Sequence, residues 1–242
     1  MTQSCNNIIE DAKTISIILP TRKRPHHLTR LVDSILDTAK FPENIEICIR
    51  VDYDDMEAAL VLIPYSNRIN IKVCIGSKQA CHGHYWNDAW RLSTGDVLQM
   101  SSDDFIYRTK NWDVEILKEI NSFSDKMVFV YGEDGFQHGA LGTHFFIHRR
   151  WADALGEFVQ THTNVYYHDT WVDVLATRIN RRIYREDLYF EHVHWMAGKS
   201  EKDVIYKDKE NKVLEDEAIW NSKWRSSTMQ ADVDKLKRLL NE

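Results

Sequence analysis

The densest chemistry in this chain lies where a short apolar run, Val97-Leu98-Gln99-Met100, gives way to Ser101-Ser102-Asp103-Asp104. A buried strand of this kind delivers carboxylates to its C-terminal edge, the side on which open α/β sheets bind ligands. Adjacent carboxylates are hard oxygen donors suited to Mg²⁺ or Mn²⁺ bridged to a phosphate, so a diphosphate-bearing substrate is one reading. The other is an acidic helix start, in which aspartate satisfies free backbone amides. A second strand-like run, Ile45 to Val51, also ends in acid, at Asp52-Tyr53-Asp54-Asp55. Asp169, in His168-Asp169-Thr170, reads equally as a general base or as the cap of a helix beginning near Thr170. His192 and His194, two apart in an extended stretch, share a face and read as metal ligands or as structural residues. Cys81-His82-Gly83-His84 has the right residue types for zinc but no second Cys/His pair at finger spacing, and reads as a loop entering a helix.

Alternating elements must position these groups. Ile15 to Pro20 is β-branched and stops at a proline, which predicts a strand. After the basic turn Thr21-Arg22-Lys23-Arg24-Pro25, apolar residues recur at Leu28, Leu31, Val32, Ile35, Leu36 and Ala39, one face of a helix. Strands are then predicted over Ile45–Val51, Ile69–Ile75 and Val97–Met100, with a helix over Tyr85–Leu92. This alternation predicts an α/β fold with a mostly parallel sheet. In the second half, Met127–Tyr131 and Thr143–Ile147 read as strands, Trp151–Leu155 and Thr170–Ile179 as helices, and Ile183–Trp195 as extended. The expected organisation is an N-terminal extension over 1–13, one domain over 14–197, and a charged, helical, peripheral extension over 198–242.

The 242 residues, 43% hydrophobic, are enough to bury the core of one large domain. A net charge of −6 provides no global attraction for nucleic acid or anionic membrane, although local basic patches remain compatible with it. Cys5, Cys48, Cys74 and Cys81 show no CxxC spacing and read as reduced thiols. Met1 to Asp11 lacks the basic flank and apolar core of a signal peptide, and no window has membrane-spanning length, so a cytoplasmic location is expected.

Taken in order, these landmarks resemble the nucleotide-sugar glycosyltransferases of the GT-A fold, particularly the family 2 type, over roughly residues 14 to 195. The resemblance implies a single GT-A (Rossmann-like) domain with a central, mostly parallel mixed sheet flanked by helices. It implies that Pro20, Thr21 and Arg22 form the nucleoside corner, with Asp52 or Asp54 accepting a hydrogen bond from the base. Asn87 matches the family's asparagine, and Ser102-Asp103-Asp104 stands in the place of its DxD metal motif. Ser101 replaces the first aspartate of the fuller motif, which leaves the ion chiefly to Asp103, with Asp104 and His192 beside it. Gly139 to Phe158 resembles the acceptor-side segment, and His168-Asp169 the ED motif, with Asp169 as catalytic base.

The implied activity is metal-dependent, inverting transfer of a sugar from a nucleoside-diphosphate sugar, with UDP-sugar the leading donor, to an acceptor hydroxyl. A histidine beside carboxylates favours Mn²⁺ over Mg²⁺. The acceptor is left open among a glycan, a lipid-linked sugar, a small molecule and a hydroxylated base in DNA. Two rivals stand beside this reading. A nucleotidyltransferase would require a glycine-rich basic loop after the first strand, and Pro20 to Pro25 contains no glycine. A non-catalytic nucleotide-sugar-binding module is suggested by Ser101 and His168 at expected acidic positions.

Overall fold

The computed structural model describes residues 9–201 and 211–240. Among these residues eight strands form one sheet: β1 (Ile15–Pro20), β2 (Ile45–Asp52), β3 (Asn70–Gly76), β4 (Val97–Met100), β5 (Phe105–Tyr107), β6 (Phe129–Glu133), β7 (Phe145–His148) and β8 (Arg182–His192). Their spatial order is β3-β2-β1-β4-β7-β6-β8-β5. The first four are mutually parallel, whereas β7 runs antiparallel to both β4 and β6. Helices α1 (Pro25–Thr38), α3 (Gly83–Leu92) and the short α2 (Met56–Leu60) occur in the connections of the parallel half, as parallel neighbours require.

The sheet is covered on both faces. One core joins Ile15, Ile17 and Leu19 of β1 to α1, α2 and α4 (Trp112–Asn121). The opposite core joins Ile18 and Leu98 to α3, α5 (Arg149–Leu155) and α6 (His168–Arg178). Being sandwiched, β2 is buried at all eight positions, although its sequence alternates apolar with polar. Its three buried charges, Glu46, Arg50 and Asp52, are therefore paired. Burial opposes ionisation of Glu46, but the Lys72 ammonium at 2.6 Å and the Ser16 hydroxyl at 2.6 Å hold its carboxyl down to about 2.

The C-terminal helices differ from the peripheral tail expected of their charge. In α8 (Ser227–Leu239), Met229, Val233 and Leu236 recur at helical spacing and are buried in the second core. The Trp171 indole N–H donates to Asp232 of this helix at 3.2 Å. Helix α7 (Val213–Lys223) buries Asp216 completely. The charged run that suggested a peripheral position includes Lys202, Lys207, Lys209 and Glu210, which lie outside the described residues together with Cys5. Cys48 is buried in β2, Cys74 and Cys81 are half-buried, and these three are free thiols. Among the described residues no helix is long and apolar enough to cross a membrane.

A bulge sets up the site. At Gly132 the parallel pairing of β6 with β8 slips, so that Gly132 faces Arg185 but Glu133 faces Tyr189. A Cβ at Gly132 would lie 2.3 Å from the Leu188 carbonyl oxygen, which restricts this position to glycine. Beyond the bulge β8 pairs antiparallel with β5, placing His192 opposite Phe105.

Candidate active site

Three strand ends bring three metal-ligating side chains together. Asp104 immediately precedes β5, His192 ends β8, and the Val193 N–H donates to the Asp104 carbonyl at 2.8 Å, locking the two together. His144 precedes β7. Because Gln99 pairs with Phe146 in antiparallel register, continuing each strand by two residues brings His144 to the Ser101 edge of β4. One ligand atom each from Asp104, His144 and His192 lies within 4.8 Å of the others. Ser102 ties the group together, its hydroxyl donating to Asp104 Oδ1 and meeting His144 Nε2 at 2.8 Å.

The donor chemistry of this cluster fits a divalent ion. It combines one carboxylate with two imidazoles, and burial together with the neighbouring His192 holds His144 well below the usual histidine range, in the neutral form that ligates metals. His144 stacks on Phe105 with centroids 4.1 Å apart, and His192 Nδ1 is buried without a hydrogen-bond partner. Sequence reasoning passed over His144. Its only signal was its place near the start of the predicted strand Thr143–Ile147, and the antiparallel pairing that brings it to the site is not written in local periodicity.

The cluster opens into a cavity of about 450 Å³ lined by Pro20, Thr21, Arg22, Asp52, Ser102, Asp103, His194 and Asp169 among others. Most sequence candidates thus meet in one place, but their partners revise several expectations. Asp103, expected as the chief ligand, is turned elsewhere: it accepts from Thr21 Oγ1 at 2.8 Å and from Arg24 at 3.1 Å. Asp52 accepts from Arg22 at 2.6 Å and lies 3.3 Å from buried Arg50, so its carboxylate is already engaged by two guanidinium groups. Asp54 is exposed, outside the cavity lining, and joined to Arg22 by a two-pronged pair at 2.6 and 2.7 Å, which holds its carboxyl down to about 2.

Asn87 is the clearest departure from expectation. It is buried and outside the cavity lining, accepting from the Phe158 and Val159 N–H groups at 2.8 and 3.2 Å and donating to the Val159 carbonyl at 2.8 Å. Its amide clamps the 158–159 segment to α3, a role that a planar donor-acceptor pair performs and that spacing alone does not distinguish from ligand binding. Trp86, one residue earlier, lines the cavity instead and donates to the Ser101 carbonyl at 3.0 Å.

Asp169 sits in the first turn of α6, two residues after Tyr167, rather than capping the helix. Burial raises its carboxyl to about 6, against hydrogen bonds from the Thr170 N–H at 2.7 Å and the Thr170 hydroxyl at 3.2 Å. It therefore combines access to the cavity with a proton affinity near neutrality. His194 approaches His192 with ring centroids 5.0 Å apart, but it is not part of the three-residue cluster.

No protein-family model and no curated protein matches this chain. Solved structures do match. Residues 1–349 of S. aureus TarS in complex with UDP superpose with a TM-score of 0.61 at 15% identity, covering 74% of this chain and 60% of that one. The fold is glycosyltransferase-like. The mannosyltransferase PcManGT of Pyrobaculum calidifontis, in complex with GDP-Man and Mn²⁺, gives a TM-score of 0.61 at 11% identity over 97% of this chain and 77% of that one. S. aureus TarS 1–349 with UDP-GlcNAc gives 0.63 at 14% identity over 94% and 72%. In this glycosyltransferase-like fold the candidate metal cluster lies at the ends of the strands, where ligands of open α/β sheets are bound.

Proposed function

We propose that the chain is a metal-dependent, inverting glycosyltransferase that moves a sugar from a nucleoside-diphosphate sugar to an acceptor hydroxyl. The observation that carries this reading is that the Asp104, His144 and His192 cluster and the Asp169 carboxylate line the same cavity. Asp104, His144 and His192 would hold the divalent ion, and two imidazoles beside a carboxylate favour Mn²⁺ over Mg²⁺. Such an ion supplies positive charge to the leaving diphosphate.

The chain's own residues do the rest. Pro20, Thr21, Arg22 and Asp52 line the cavity and would receive the nucleoside, and Arg24 and Lys78 line the same cavity with positive charge. Asp103 acts through Thr21 and Arg24 rather than as the main ligand. Asp169 takes the proton from the acceptor hydroxyl as its oxygen attacks the anomeric carbon, while the bond to the diphosphate breaks on the opposite face. The catalytic unit includes α8, because its buried face completes the second core.

Incubation with a panel of UDP- and GDP-sugars tests this reading through release of the nucleoside diphosphate. Release that requires added Mn²⁺ or Mg²⁺ supports it, and no release from any donor overturns it.

A further inference from the structure

Donor and metal chemistry leave the C-terminal helix α7 without a task, yet this helix holds one wall of the cavity. That wall is the segment Val165-Tyr166-Tyr167. Tyr167 has a left-handed backbone, φ 69°, a conformation that a bulky side chain keeps only where its surroundings enforce it. Two residues of α7 supply the enforcement. The buried Asp216 carboxylate accepts from the N–H groups of Asn164, Val165 and Tyr166 at 2.7, 2.7 and 3.0 Å, and from the Asn164 side-chain amide at 2.9 Å. Three successive amides converging on one carboxylate fix the course of the loop. Four residues further on, and so on the same helix face, Trp220 lies parallel to the Tyr167 ring, with centroids 5.1 Å apart and planes inclined by 8°. Trp224 continues the stack at 6.3 Å, with the Arg225 guanidinium 4.0 Å from its ring centre.

Resting on the glycosyltransferase reading above, we infer that Tyr167 is the platform on which the acceptor stacks, that Asp216 and Trp220 of α7 position it, and that the acceptor presents an uncharged sugar ring. A backed aromatic ring packs well against the C–H face of a sugar and loses little rotamer freedom in doing so. The charge around the platform argues against an anionic chain: Glu215, Asp216 and Glu217 follow one another on α7, and Lys212, at the cavity margin, is paired with Glu215 at 2.7 Å. Tyr167 and Asp169 both line the cavity, so a sugar stacked on the platform shares that space with the base.

The test measures binding of three neutral trisaccharides, N-acetylchitotriose, cellotriose and maltotriose, to the full chain with Mg²⁺ and UDP present, by saturation-transfer NMR. At least one should bind the wild type. Tyr167→Ala should weaken it roughly tenfold, and Tyr167→Phe should retain it. Trp220→Ala should weaken it similarly and Trp220→Phe restore it, with UDP affinity unchanged in both. Equal loss of UDP and trisaccharide binding in Trp220→Ala would make Trp220 merely structural and overturn its positioning role. Failure of all three sugars to bind the wild type, binding unaffected by Tyr167→Ala, or tighter binding of hexathymidylate would each overturn the platform. Trisaccharide binding through Tyr167 in a protein that releases no nucleotide from any donor would instead overturn the reaction reading and leave the platform standing.

Discussion

Asp169→Asn is expected to lower turnover by roughly 10²–10⁴-fold, the usual contribution of a general base. The substitution preserves size and the Oδ1 atom that accepts the Thr170 N–H, so thermal stability and nucleotide affinity should change little. The wild-type pH profile provides a second readout. Burial raises the folded-state pKa of Asp169 to about 6, so the basic form is lost as pH falls through that value. Turnover should therefore decline on the acid side, by about tenfold per pH unit once the group is mostly protonated. In Asp169→Asn that limb should disappear. A mutant with wild-type turnover would reduce Asp169 to a first-turn carboxylate of α6.

The second large effect distinguishes two adjacent aspartates. Asp104→Asn removes the only carboxylate of the Asp104, His144 and His192 cluster, and should raise the Mn²⁺ concentration for half-maximal donor turnover by at least roughly 10–100-fold. His144→Ala should shift it in the same direction. Asp103→Asn should shift it less, because that side chain is committed to Thr21 and Arg24. Its main effect should be on nucleotide affinity measured without metal. The reverse pattern, with metal dependence following Asp103 and indifferent to Asp104, would return Asp103 to the place that the sequence motif gave it.

Local periodicity made much of the architecture legible. β1 and β4 match their predicted bounds, and α1, α3 and β2 lie within a few residues of theirs, because each is a strong amphipathic or β-branched run. The short β5 and the helix α4 escaped prediction. Phe105–Tyr107 is too brief for a period, and the mixed charges of α4 obscure the Trp112, Ile116 and Ile120 stripe that it buries.

The site was legible to the extent that it lies at strand ends: Asp103, Asp104 and Asp52 were read at the ends of strands, where they stand, whereas His192 was read within an extended stretch that in the structure stops at it. What sequence could not show was partnership. His144 joins through antiparallel register, Asn87 is consumed by the 158–159 backbone, and Asp54 is held outside by Arg22. The importance of α7 was hidden for a similar reason. Asp216 and Trp220 meet the cavity wall through contacts some fifty residues away in sequence.

The stereochemistry of donor cleavage tests the central claim most directly. With an α-linked donor such as UDP-GlcNAc or GDP-mannose and added Mn²⁺, proton NMR can follow the sugar released to water before its anomers equilibrate. Single displacement assisted by Asp169 predicts that the β-anomer appears first, only with the divalent ion, and far more slowly in Asp169→Asn. First appearance of the α-anomer, or metal-independent release, would contradict the account.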